Sequence, residues 1–207
     1  FETIEALDRT LIAEQVASLA AGQQVQVPRF DFVRGQRKSE GVTVQLRPQD
    51  VLVLEGIHAL NPELLPGVTP FRIFVSALTQ LVIDERNRVF TSDARLLRRL
   101  VRDRRYRGTS AAETIERWPK VRAGEERWIF PHQERADAIF NSTLVYESTV
   151  LKPFAWRYLL EVPRSHPSRV RAYELLHFLD LFVPVFPDRI PANSVLREFI
   201  GGSGFEE

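Results

Sequence analysis

A chain of 207 residues, 44% hydrophobic and 27% charged, has the make-up of one large α/β domain, alone or with an appendage. Its 28 Lys and Arg against 27 Asp and Glu leave a net charge of +1, which gives no global pull towards nucleic acid or membranes and confines any anion site to a local cluster. With no Cys, disulfides, thiolate metal sites and a cysteine nucleophile are excluded, and a cytoplasmic setting fits; with no Met, Phe1 is not expected to be the natural start.

In chain order, Asp8 is a plausible N-cap. Leu11, Ile12, Val16, Leu19 and Ala20 follow at helical spacing, and Gly22 is a natural stop. Val25-Gln26-Val27 and Val42-Thr43-Val44-Gln45-Leu46 alternate as strands do, with a basic, aromatic loop between them at residues 28–38. Val51-Leu52-Val53-Leu54 reads as a strand buried on both faces of a parallel sheet, ending at Glu55-Gly56. Residues 71–75 and 136–140 are two further strand candidates. Helical patterns lie between them at 79–88, 93–106, 111–118 and 122–135. Strands alternating with helices imply parallel βα units. Beyond residue 143, two helices are expected over 144–160 and 168–182, followed by a Pro-rich turn. No apolar run is long enough to span a bilayer.

Three places carry candidate chemistry. Glu55, at the carboxyl end of an expected buried strand, stands where open parallel sheets bind ligands, and a carboxylate there can hold Mg²⁺. The bland alternative is a solvated strand end. Arg95, Arg98, Arg99, Arg102, Arg104, Arg105 and Arg107 crowd one helix, with Leu96, Leu97, Leu100 and Val101 as its apolar side. Guanidinium forks suit phosphate, although most charge runs are solvated faces. Asp93 and Asp103 are expected to neutralise little of that charge. Phe30 and Phe32 can stack a base while Arg37 and Lys38 meet phosphate or sugar, or the two aromatics simply anchor a hairpin. The four histidines show no metal-ligand spacing. No serine sits in a nucleophile elbow. Gly201-Gly202-Ser203-Gly204 lacks the Lys-Ser/Thr ending of a phosphate loop.

Together, Pro28-Arg29-Phe30-Asp31-Phe32-Val33 with Arg37-Lys38, Val51-Leu52-Val53-Leu54-Glu55-Gly56-Ile57, the run from Arg95 through Arg102-Asp103 to Arg107-Gly108, and Ala136-Asp137 resemble the uridine kinase and phosphoribulokinase family over about residues 8–143. The ending Ile190-Pro191-Ala192-Asn193-Ser194, with Arg197-Glu198-Phe199-Ile200-Gly201-Gly202-Ser203, resembles a bacterial subgroup fused to a threonyl-tRNA-synthetase-like N-terminal region. The resemblance implies an α/β fold with the parallel sheet of P-loop kinases. It implies a kinase-like domain over 1–143, with an arginine-rich lid at about 93–110, and a helical extension over 144–207. ATP with Mg²⁺ is the implied donor, and the implied partner is a small nucleoside-like hydroxyl acceptor. Glu55 takes the metal role, Arg99, Arg102 and Arg107 the phosphate lid, and Phe30, Phe32 and Arg37 the acceptor site.

The family's phosphate loop and its hydroxyl-activating Asp precede the helix at Asp8, and neither is in the 207 residues. A base-reading His of uridine kinases aligns with Gly35, and an Arg after the lid aligns with Thr109, so a preference for uridine is not expected. The arginines are expected to form a mobile lid whose unpaired charges repel until phosphate arrives. Two further readings stay open: an RNA-binding module using the arginine helix, which near-neutral charge disfavours, and a degenerate kinase serving as a scaffold. A homo-oligomer is compatible with the sequence.

Overall fold

The computed structural model describes residues 2–31, 34–79, 81–85 and 88–205. The chain divides into two compact units, residues 1–74 with 120–139, and residues 75–119 with 140–207.

In the first unit, the cap and stop signals act as expected. The Asp8 carboxylate accepts a hydrogen bond from the Leu11 amide at 3.1 Å, helix α1 runs Arg9–Ala20, and Gly22 turns the chain at φ +74°. Gln15 Nε2 donates to the Gln26 carbonyl at 2.7 Å and fastens α1 to the next strand. Strands β1 (Val25–Asp31) and β2 (Gln36–Val44) form an antiparallel hairpin with an irregular register between Pro28 and Phe30. Pro28 has no N–H to give a ladder, which is why the register breaks there. The expected loop at 28–38 is therefore mostly strand. At its tip Gly35 adopts φ +67° and its amide donates to the Asp31 carbonyl at 2.8 Å.

Residues 51–54 depart from expectation. They form no strand, and Val51 and Val53 are 83% and 79% exposed. Four apolar residues in a row create a demand for cover on both faces, but they do not supply it, and no described strand runs beside them. Strand β3 (Ile73–Ser76) does pair with β4 (Ala138–Asn141). The Arg72 carbonyl accepts from the Ala138 amide at 3.1 Å, and the Ser76 carbonyl from the Ser142 amide at 2.8 Å. The advance is in the same direction on both strands, so the pair is parallel. The α/β class and parallel pairing hold. The broad kinase-type sheet is not formed, because the described strands make only two two-stranded sheets.

The second unit is mainly helical. The helix expected at 79–88 is absent, and residues 80, 86 and 87 lie outside the described residues. Val82 bridges Arg88 instead, and the Val89 amide donates to the Leu81 carbonyl at 2.9 Å. Leu81 and Ile83 alternate with period two, and both pack against the buried cluster of Val89, Ala94 and Phe182. Helix α2 (Thr91–Tyr106) buries Leu96, Leu97, Leu100 and Val101 completely. Helices expected at 111–118 and 122–135 are one helix, α3 (Ala111–Trp128), followed by a 3-10 turn at Phe130–Arg135. Pro119 is tolerated inside it at the loss of a single backbone bond. A capping box starts α3. The Glu113 carboxylate accepts from the Ser110 amide and hydroxyl, both at 2.8 Å, and the Ser110 amide bond holds its pKa below the usual carboxylate range.

Helices α4 (Glu147–Leu160) and α5 (Arg169–Asp180) occupy the regions where two helices are expected. A short helix α6 (Arg197–Ile200) follows a 3-10 turn at Pro187–Arg189. Helix α4 packs against α2 and α5, and α6 packs against α2. Their shared core includes Leu100, Val150, Leu151, Leu159, Leu175, Leu179 and Leu196.

Candidate functional site

The arginine helix is not a row of unpaired charges. Asp103 is 5% exposed and lies among three arginines spaced along α2 and its end. Arg99 Nε is 3.3 Å from its carboxylate, Arg107 Nη1 3.2 Å, and Arg102 Nε 3.8 Å. Residues 99 and 107 flank Asp103 at i−4 and i+4, which puts all three on one helical face. The expectation that Asp103 neutralises little is corrected. One buried carboxylate faces three guanidiniums and gathers them into one patch. The expectation of unpaired, mutually repelling arginines is corrected with it, and α2 is regular to Tyr106 with its leucines buried. Counting Glu198, which meets Arg102, three guanidiniums face two carboxylates in this cluster. The sequence carried the signal for this hub in its i±4 spacing.

Arg98 is a separate case. It is 8% exposed, and its guanidinium forks onto Glu147 of α4, with Nε 3.2 Å from Oε1. It also donates to the Ser142 carbonyl at 2.8 Å. This arginine joins α2 to α4, and its bonding capacity is taken up by the fold.

The C-terminal residues form a strap over α2. The Arg197 guanidinium donates to the carbonyls of Pro187 (2.7 Å), Gly201 (3.1 Å), Pro191 (3.3 Å) and Ile190, which closes residues 187–201 into a compact loop. Gly201 sits at φ +80°, and a Cβ there would overlap the Arg105 guanidinium. Phe199 lies under Arg98 at 5.4 Å, and Glu198 Oε1 accepts from Arg102 Nη1 at 3.2 Å. Sequence reading assigned no site role to Asp103 or Glu198. Glu198 is 96 positions from its partner, and no periodicity reports that pairing.

In the first unit, Phe30 of β1 stands directly opposite Arg37 of β2, so the two share a face of the hairpin. Arg37 Nη2 is 3.3 Å from the Asp8 carboxylate. Phe32 lies outside the described residues. Glu55 is exposed, in an irregular segment just before the bend at Gly56 rather than at a strand end, which corrects its expected placement. No group of three or more His, Cys, Asp or Glu among the described residues forms a metal cluster. Mg²⁺ usually takes one or two carboxylates together with water and substrate phosphates, so Glu55 fits it as a donor type and as a single ligand. Close by in sequence, His58 is buried with Nδ1 unsatisfied. Burial pushes its pKa down, opposed by Glu2 and by the Thr3 backbone, while the charge of His132 adds to the fall.

No helix among the described residues is long and apolar enough to cross a membrane. Residues 1–147 match the model of the phosphoribulokinase / uridine kinase family. The uridine kinase of Staphylococcus carnosus (strain TM300) is 33% identical over 135 residues, 65% of this chain and 58% of that protein. The uridine kinases of Staphylococcus aureus strains JH9 and Newman are each 31% identical over 135 residues, with the same shares of the two chains. The chain thus spans less than two thirds of the length of these relatives. With the family's model matched over most of its residues, the chain belongs to the phosphoribulokinase / uridine kinase family.

Proposed function

We propose that these residues form the acceptor and phosphate-lid part of an ATP-dependent phosphotransferase, acting in the cytoplasm, that moves the γ-phosphate of ATP to a hydroxyl of a nucleoside-like small molecule. One observation carries this reading: Arg99, Arg102 and Arg107 converge around the buried Asp103 carboxylate. A fixed carboxylate that gathers three guanidiniums preorganises donors for phosphate oxygens, and phosphoryl transfer depends mainly on such positioning and charge stabilisation. Phe30 and Arg37, side by side on the hairpin, serve the acceptor, with Phe32 beside them in sequence. Glu55 serves Mg²⁺, which in this family neutralises charge developing on the transferred group. The helices over 144–207 are an extension that lies, after residue 147, beyond the family match, and their ending supports the bacterial subgroup fused to a threonyl-tRNA-synthetase-like region.

The test is titration calorimetry of the intact protein with ATP·Mg²⁺. Each charge-assisted hydrogen bond contributes about 1.5–3 kcal/mol, so R102A should weaken binding by roughly tenfold or more. Unchanged affinity overturns the reading. Tight, salt-dependent RNA binding that R99A and R102A abolish, without any ATP binding, favours the RNA module instead.

A further inference from the structure

Two ion pairs on α2 differ in kind. Arg98 and Glu147 have side chains 10% and 5% exposed, and both are used up in joining helices. Arg102 and Glu198 are 30% and 53% exposed, and the pair lies at the edge of the arginine cluster. A carboxylate oxygen and a phosphate oxygen accept the same guanidinium N–H donors. Resting on the reading of Arg99, Arg102 and Arg107 as a polyphosphate patch, we propose that Glu198 is an internal competitor for it. Its carboxylate holds Arg102 as a phosphate oxygen would, and an incoming polyphosphate displaces it.

The surroundings make the exchange local. Leu196, Phe199 and Ile200 are buried on either side of Glu198, and Arg197 pins the strap through its carbonyls. The backbone beneath Glu198 is therefore fixed, and only its half-exposed side chain has to swing away. Asp103 stays behind as the permanent counter-charge, because it is buried within α2 itself. Glu198 lies beyond residues 1–147, so the strap adds a control to the family-matched part of the chain. Displacing one solvent-exposed pair costs little, so the device sets a threshold for anion binding without blocking it.

The experiment is calorimetric titration of the 207-residue chain with sodium tripolyphosphate at low ionic strength. Wild type, E198Q, E198A, R102A and the double variant R102A/E198Q are compared. E198Q and E198A should bind about threefold or more tightly than wild type, given the modest strength and salt sensitivity of exposed pairs. The gain should vanish in the R102A background. Because Glu198 is half exposed, neither substitution threatens folding, and equal melting temperatures check this. Equal affinity of wild type and both Glu198 variants overturns the inference and leaves the patch intact. A gain that persists without Arg102 also overturns it, since it would then be a general field effect. If wild type binds no tripolyphosphate, or R102A binds as well as wild type, the reading of the patch itself fails and the inference falls with it.

Discussion

Asp103 shows what a single residue does here. Removing one partner of a buried ion pair costs about 3–5 kcal/mol, but the arginines around Asp103 are partly exposed and water screens them. D103N should therefore destabilise the second unit by about 2 kcal/mol, read by urea denaturation. Sulfate or tripolyphosphate should restore more stability to D103N than to wild type, because the one carboxylate that all three guanidiniums share is then gone. An equal response of the two proteins would mean that Asp103 does not organise the patch. His58 makes a second prediction at this scale. Its folded pKa lies below the unfolded value of about 6.5, so the unfolded chain takes up the proton first as pH falls. Its contribution is complete above that value and is lost as pH drops towards the folded pKa. The melting temperature of wild type should fall on acidification from about pH 7.5 to pH 5, and H58Q should flatten that slope. Equal slopes would place the acid sensitivity elsewhere.

At the scale of elements, sequence pattern worked where neighbours along the chain decide the outcome. The Asp8 cap, the leucine stripe of α2 and the helices after residue 143 were legible because i, i+3 and i+4 residues face one side. It failed at 79–88, where Leu81 and Ile83 follow a two-residue alternation, Leu81 accepts from the Val89 amide, and both pack on the cluster of Val89, Ala94 and Phe182. It split α3 at Pro119, because proline is a stop signal that tertiary packing can override. In the sequence the strap is a family-like ending that does not disclose a mechanical role. Its hub is Arg197, one guanidinium serving the carbonyls of residues 187, 190, 191 and 201. R197A should free the strap and open it to limited proteolysis after α5, with roughly 2 kcal/mol of stability lost. R197K should not rescue it, since a single ammonium cannot match the fork. Proteolysis rates like those of wild type in R197K would refute that role.

For the whole molecule, the proposed phosphotransfer asks more of the 207 residues than a lid and an acceptor site. No Gly-x-x-x-x-Gly-Lys-Ser/Thr occurs in them, and a phosphate loop supplies much of the positioning in phosphoryl transfer. The 207 residues alone should show no magnesium-dependent ATP hydrolysis or nucleoside phosphorylation; measurable turnover would refute this. In the intact protein, kcat/KM across a panel of nucleosides should show no large preference for uridine, because Gly35 and Thr109 offer the base no side chain comparable to His or Arg. A strong uridine or cytidine preference would mean that other residues read the base. The sequence by itself determined the family, the chain order of most helices and the fully buried leucines of α2, since these follow from motif order and local periodicity. Tertiary structure alone decided that Asp103 is buried among three arginines, that Glu198 meets Arg102 across 96 positions, and that residues 51–54 lie exposed. Periodicity records which residues want cover or a counter-charge; only packing brings distant groups together to supply them.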